Sequence, residues 1–185
     1  MIRDEALCWL KTEIKEPNLI KHCLAAEAAM KNLAVRLGED ENIWGLTGLL
    51  HDIDYETTKD NPQEHSLKGY KMLLEKGVED IIAEAVKTHN DAHGFPPTTL
   101  MAKAIYCVDS LTGLIVATTL VLPSRKIKEV QTDNVLRRFK EKGFARGANR
   151  INIAKCEELL GLPLQEFTEI TLRAMQGIDE ELGLA

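Results

Sequence analysis

Residues Gly48–Glu56 read GLLHDIDYE. Leu49 and Leu50 continue the inner face of a packed helix, and His51, Asp52 and Asp54 then crowd into the next four positions. An ionisable group at the end of an apolar stripe needs a partner or an ion, because burying an unpaired charge is expensive. Whether this segment is a helix end with a purpose depends on the rest of the chain.

Working outward, almost every segment carries helical period and none alternates with period two. Helices are expected over 2–15, stopped before Pro17; over 18–37, closed by Gly38; and over 41–52, which carries the opening segment. Asn61, Pro62 and Glu64 read as cap, first turn and capping box of a helix from 62 that ends at Gly77. Residues 78–90 follow, then the loop HGFPPTT, then a long helix 99–121 capped by Thr98 or Thr99 and stopped by Pro123. Three more helices are expected near 129–142, 149–160 and 164–182. The expected fold is all-α, with a core over 1–122 and a C-terminal helical cap over 123–185 belonging to the same domain.

Composition narrows the function. The chain has 185 residues, 44% of them hydrophobic, enough for a real core. A net charge of −6 argues against binding a nucleic-acid polymer, which requires neutralising phosphates with Lys and Arg. The apolar run Ala104–Leu122 is long enough to span a bilayer, but Asp109 interrupts it, so a buried central helix is expected and no membrane association. Cys8, Cys23, Cys107 and Cys156 form no C-x-x-C pair and read as free thiols of a cytoplasmic protein. Nothing excludes a homo-oligomer.

Other polar residues repeat the pattern of His51 and Asp52. His22 shares a helical face with Ala25, Ala26, Ala29 and Leu33; His65 with Gly69, Met72 and Leu73; His89 with Ile82, Ala85 and Val86. Asp109 shares one with Ile105, Thr112, Gly113 and Val116. Each alone reads as a hydrogen-bonded core residue. Together, imidazoles and carboxylates form a first-row transition-metal ligand set, and an ion would account for all of them at once.

His22, then His51-Asp52, then Asp109, in that order and helical register, resembles the H…HD…D pattern of the HD-domain superfamily of metal-dependent phosphohydrolases, over roughly residues 18–122. His65 and His89 resemble two further ligands of its dinuclear branches, which include HD-GYP phosphodiesterases, HD-type diadenosine tetraphosphate hydrolases and inositol oxygenase. HNDAHGFPPTTL is similar to the segment that names the HD-GYP proteins, but Asn90 and Phe95 depart from it, so a cyclic-dinucleotide enzyme is not expected. Many dinuclear members carry a Lys three residues after the HD aspartate, where this chain has Tyr55.

The resemblance implies a helical bundle around one or two divalent ions. His22, His51, Asp52 and Asp109 would bind the first, and Asp52 would bridge to a second held by His65 and His89. Mixed N/O ligands favour iron or manganese, with zinc, nickel, cobalt and magnesium as alternatives. Such ions would activate a water against a small phosphorylated metabolite or nucleotide. His93 is a candidate proton donor, and Asp54 a candidate general base or, preferably, an acceptor that orients a ligand imidazole. Arg125, Arg146 and Arg150 are candidate phosphate contacts. A diiron oxygenase and a non-catalytic metal-bound sensor or scaffold are the alternative readings.

Overall fold

A computed structural model describes residues 1–185 and contains helices, turns and no strand. The chain runs through α1 (Arg3–Glu13), α2 (Pro17–Leu37), α3 (Glu41–Leu50), α4 (Tyr55–Thr58), α5 (Leu67–Glu75) and α6 (Asp80–Thr88). It continues through α7 (Leu100–Leu120), α8 (Thr132–Lys140), α9 (Arg150–Ala154), α10 (Cys156–Leu160), α11 (Leu164–Gln176) and α12 (Asp179–Leu182). The ends follow local chemistry. Asp40 caps α3 through the amides of Asn42 and Ile43, Thr99 caps α7 through Ala102, and Gly38 closes α2 in the left-handed region.

α7 is the axis of the fold. It is long and apolar enough to cross a membrane, yet most of it is buried, packed by α2, α6, α9, α10 and α11. Its covered faces include Ile105, Val108, Leu111, Leu114 and Ile115. The segment beyond Pro123 packs onto the first part of the chain through α11, which lies along α2 and touches α7 and α8. α2 and α3 pack most closely of all. A Cβ on Gly48 would lie 2.5 Å from the carbonyl oxygen of Ala26, so only glycine permits this approach.

Three expectations need correction. The helix expected from residue 62 starts at Leu67, and residues 62–66 form turns. Ser66, at φ 67°, turns its amide onto Asp54, which no local capping signal encodes. The expected helix 164–182 is divided at Gly177 into α11 and α12, and 149–160 is divided at Lys155 into α9 and α10.

Gly48→Ala should push α3 off α2 against backbone atoms that cannot rotate away. Overpacking of this kind costs about 1–3 kcal/mol. In a chain of this size that lowers the melting temperature by roughly 2–10 °C. Thermal unfolding followed by circular dichroism checks it, and an unchanged midpoint would contradict the close packing.

Candidate metal centre

The centre is assembled from helix ends. His51 and His89 are the residues that terminate α3 and α6. The last carbonyls of a helix lack intrahelical partners. Each imidazole supplies one: His51 Nδ1 lies 2.8 Å from Gly48 O, and His89 Nδ1 lies 2.6 Å from Val86 O. A carbonyl only accepts, so Nδ1 carries the hydrogen in both rings and Nε2 carries a lone pair.

His22 and His65 reach the same state by other routes. Thr112 Oγ1 donates to Asp109 O at 2.8 Å and therefore accepts from His22 Nδ1 at 3.2 Å. His65 Nδ1 donates to Asp54 Oδ1 at 3.0 Å. All four Nε2 atoms then present lone pairs inward. His22 Nε2 stands 3.1 Å from His51 Nε2, and His65 Nε2 stands 3.1 Å from His89 Nε2. Two lone pairs at that distance repel unless a proton or a cation lies between them.

Asp52 joins the two pairs. Its Oδ2 is 3.5 Å from His22 Nε2, while its Oδ1 is 3.4 Å from both His65 Nε2 and His89 Nε2. Asp109 Oδ1 is 3.0 Å from His22 Nε2 and 3.6 Å from His51 Nε2. The donor atoms of His22, His51 and Asp52, and those of Asp52, His65 and His89, form two groups each compact enough to hold an ion. The donor chemistry and the forced tautomers therefore fit divalent ions. Two ligands at right angles on bonds of about 2.1 Å lie about 3.0 Å apart, against about 3.4 Å at a tetrahedral angle. The 3.1 Å imidazole spacings lie near the former, and the 3.4 Å spacings from Asp52 Oδ1 to His65 and His89 equal the latter.

The charges favour cations. Burial opposes ionisation of Asp52 and Asp109, but the surrounding imidazoles outweigh it and hold both carboxyls below the usual carboxylate range. Burial likewise opposes charge on His51 and His65. The carboxylates of Asp52 and Asp109 around His51, and of Asp54 and Asp52 around His65, more than offset it, so both imidazoles titrate above their ordinary value.

The structure gives Asp54 the preferred of its two expected roles, orienting the His65 imidazole, and places the other candidates elsewhere. Asp54 is not free to act as a base: it is 1% exposed, and its oxygens accept from His65 Nδ1, Ser66 N and Gly69 N. A Cβ on Gly69 would come within 3.2 Å of Asp54 Oδ1, so glycine admits that carboxylate. His93 is not among the residues that line the cleft. Its Nε2 donates to the carbonyl of His65 at 2.6 Å, bracing the turn that carries that ligand candidate. Arg150 is not available to substrate, because its guanidinium donates to the carbonyls of Phe144, Ala145 and Ala148. Arg125 lies exposed beyond α7, outside the cleft walls, and Arg146 is exposed between two residues that line the cleft.

That cleft, of about 430 Å³, opens onto Asp52, His22, His65 and Asp109. Tyr55 forms one wall, with its ring edge-on to His65 at 5.1 Å between centroids. Ala145, Gly147 and Ala148 form the roof. Sequence reasoning missed what holds this roof. Asp91 Oδ2 accepts from Asn149 Nδ2 at 3.1 Å and Asn152 Nδ2 at 2.6 Å, and Tyr106 donates to Asn152 Oδ1 at 3.0 Å. The polar run after Gly147 was its only signal, with partners about 60 residues away.

The HD domain family matches residues 19–114, just over half of the chain and the segment bearing all six clustered residues. The chain belongs to the HD-domain family, whose members are generally metal-dependent hydrolases. No solved structure matches it.

Two measurements follow from this geometry. Asp54→Asn should leave the fold intact and weaken ion binding at the His65–His89 pair by about 10–100-fold, since it loosens the group that orients His65; titration calorimetry reads it. The second concerns pH. In chelator-treated protein the raised histidines stabilise the fold while protonated, an effect full below about pH 6.5 and lost as pH rises through their folded values. The depressed carboxylates contribute above about pH 4 and lose that contribution as pH falls through their folded values. Stripped protein should therefore melt lower at pH 8 than near pH 6. Ion-loaded protein should show the reverse, because ions and protons compete for the same Nε2 atoms.

Proposed function

We propose that this chain is a metal-dependent phosphohydrolase acting on a small phosphorylated metabolite or nucleotide, with two divalent ions in the cluster. The observation that carries the reading is the disposition of Asp52, whose two oxygens face two separate imidazole pairs. That disposition suits a bridging ligand, and the mixed nitrogen and oxygen donors, with no thiolate among them, favour iron or manganese over a structural zinc. His22, His51, Asp52 and Asp109 would hold one ion, and Asp52, His65 and His89 the other. Two such ions supply an activated water at neutral pH and offset charge on a phosphoryl oxygen during in-line attack.

The remaining work falls to the chain. Asp54 fixes the orientation of His65, and the Gly48 and Val86 carbonyls fix His51 and His89. Tyr55 covers one side of His65, where many dinuclear relatives carry a lysine, and it brings a neutral phenol to the cleft. No Lys or Arg lines this cleft. Recognition of phosphate therefore rests on the ion cluster, with Arg146 in the roof as the nearest cation in sequence to the lining residues. The acidic balance of the chain favours a small substrate over a nucleic-acid polymer.

The test is a screen of phosphomonoesters, phosphodiesters and nucleotides on stripped protein, with manganese or ferrous iron added back. Cleavage should depend on the ion and vanish with chelator. Asp52→Ala should reduce it to background, and His89→Ala should bind one ion in place of two by elemental analysis. Cleavage that survives Asp52→Ala in chelator would place the chemistry elsewhere. Two bound ions with no ester cleaved would favour the sensor reading.

A further inference from the structure

The central helix is covered on every side but one. From Ala104 onward the uncovered residues of α7 are Asp109, Ser110, Gly113, Val116, Ala117 and Leu120. Spacings of four, three and four residues put Asp109, Gly113, Val116 and Leu120 in one row. At 1.5 Å per residue this row runs about 16 Å from the metal centre to the end of the helix.

Gly113 is the anomaly in the row. Glycine weakens a helix interior relative to alanine. It is kept where a neighbour comes too close for a Cβ, but here nothing lies within 4 Å of where that Cβ would be. Packing inside the fold therefore does not explain it. The space above Gly113 is where two cavities meet. The metal cleft and a second cavity of about 350 Å³ share His22 and Gly113 as lining residues. The walls of the second cavity include Ala25, Val116, Leu120, Leu182 and Leu184. Its one cation is Lys21, whose ammonium lies against Gly183 at the C-terminal end of α12, a place that suits a positive charge.

We propose that the substrate is a phosphate ester whose organic group is uncharged and largely apolar, that this group lies along the α7 row in the second cavity, and that Gly113 is the specificity-determining residue that lets it pass. The proposal rests on the phosphohydrolase reading for the reaction: water oxygen bonds to phosphorus, the bridging P–O bond breaks, and the organic group leaves as its alcohol with a proton. The trough itself is a matter of binding and can be tested without turnover.

The probe is a series of n-alkyl phosphonates of two to eight carbons, which cannot be hydrolysed, titrated calorimetrically into ion-loaded protein. Affinity should rise about two- to fourfold per methylene as the chain extends over Gly113. Gly113→Leu should flatten that trend while retaining the ions. Gly113→Ala should keep it and melt no lower than wild type. Val116→Glu, which places a charge in the trough, should also flatten it and serves if Gly113→Leu fails to fold. Equal affinity at all chain lengths in wild type, no binding of any phosphonate, or an unchanged trend in a folded Gly113→Leu would overturn the inference. Turnover of the matching alkyl phosphates separates the two readings. A chain-length trend in binding without cleavage sinks the hydrolase and leaves the trough, whereas cleavage of short esters with no trend does the opposite.

Discussion

Everything at this centre depends on where two helix-end carbonyls put a proton. Gly48 O and Val86 O each hold an Nδ1 hydrogen, and that leaves the opposite nitrogen of His51 and His89 as a lone pair pointing inward. The same bonds bring donors to carbonyls at the ends of α3 and α6, where intrahelical partners run out, and Val86 O holds the His89 amide as well. One contact thus ends a helix, fixes a tautomer and aims a donor. The rest of the fold serves this arrangement. Gly48 lets α2 come close enough for His22 to meet His51, and α7 brings Asp109 to the same point.

The sequence discloses what is local. Helical period, the Thr99 cap, the Gly38 terminator and the spacing of His22, His51, Asp52 and Asp109 are each carried within a few residues, and the structure reproduces them. What escaped reading is long-range. Asn61, Pro62 and Glu64 do form a helix-start signal, but Asp54 holds the His65 imidazole and the Ser66 amide in a turn, and the helix waits until Leu67. Arg150 looks like a free cation from its neighbours, and only the fold shows three carbonyls around its guanidinium. Asp109 lies in an apolar run, yet its row on α7 is the uncovered one.

The C-terminal segment does more than cover the core. Its loop before α9 roofs the cleft, held from within by Arg150 and from outside by Asp91. Asp91 lies two residues beyond His89, so the turn that follows a ligand candidate also anchors the roof. Ion cluster and cleft shape are therefore set by neighbouring but separate contacts.

The candidate ligands come from α2, from the turn after α3, from the turn before α5, from the end of α6 and from α7. No two of these segments are held together by a local contact alone, so an ion bound there is bound only by the folded chain. An ligand at a hundred times its dissociation constant adds about 2.7 kcal/mol to stability, which is roughly a hundredfold fewer opened molecules. Proteases that act on the opened chain follow that population. Scarcity of such an ion would then leave the chain open to proteolysis more often, and shorten the half-life of the protein itself.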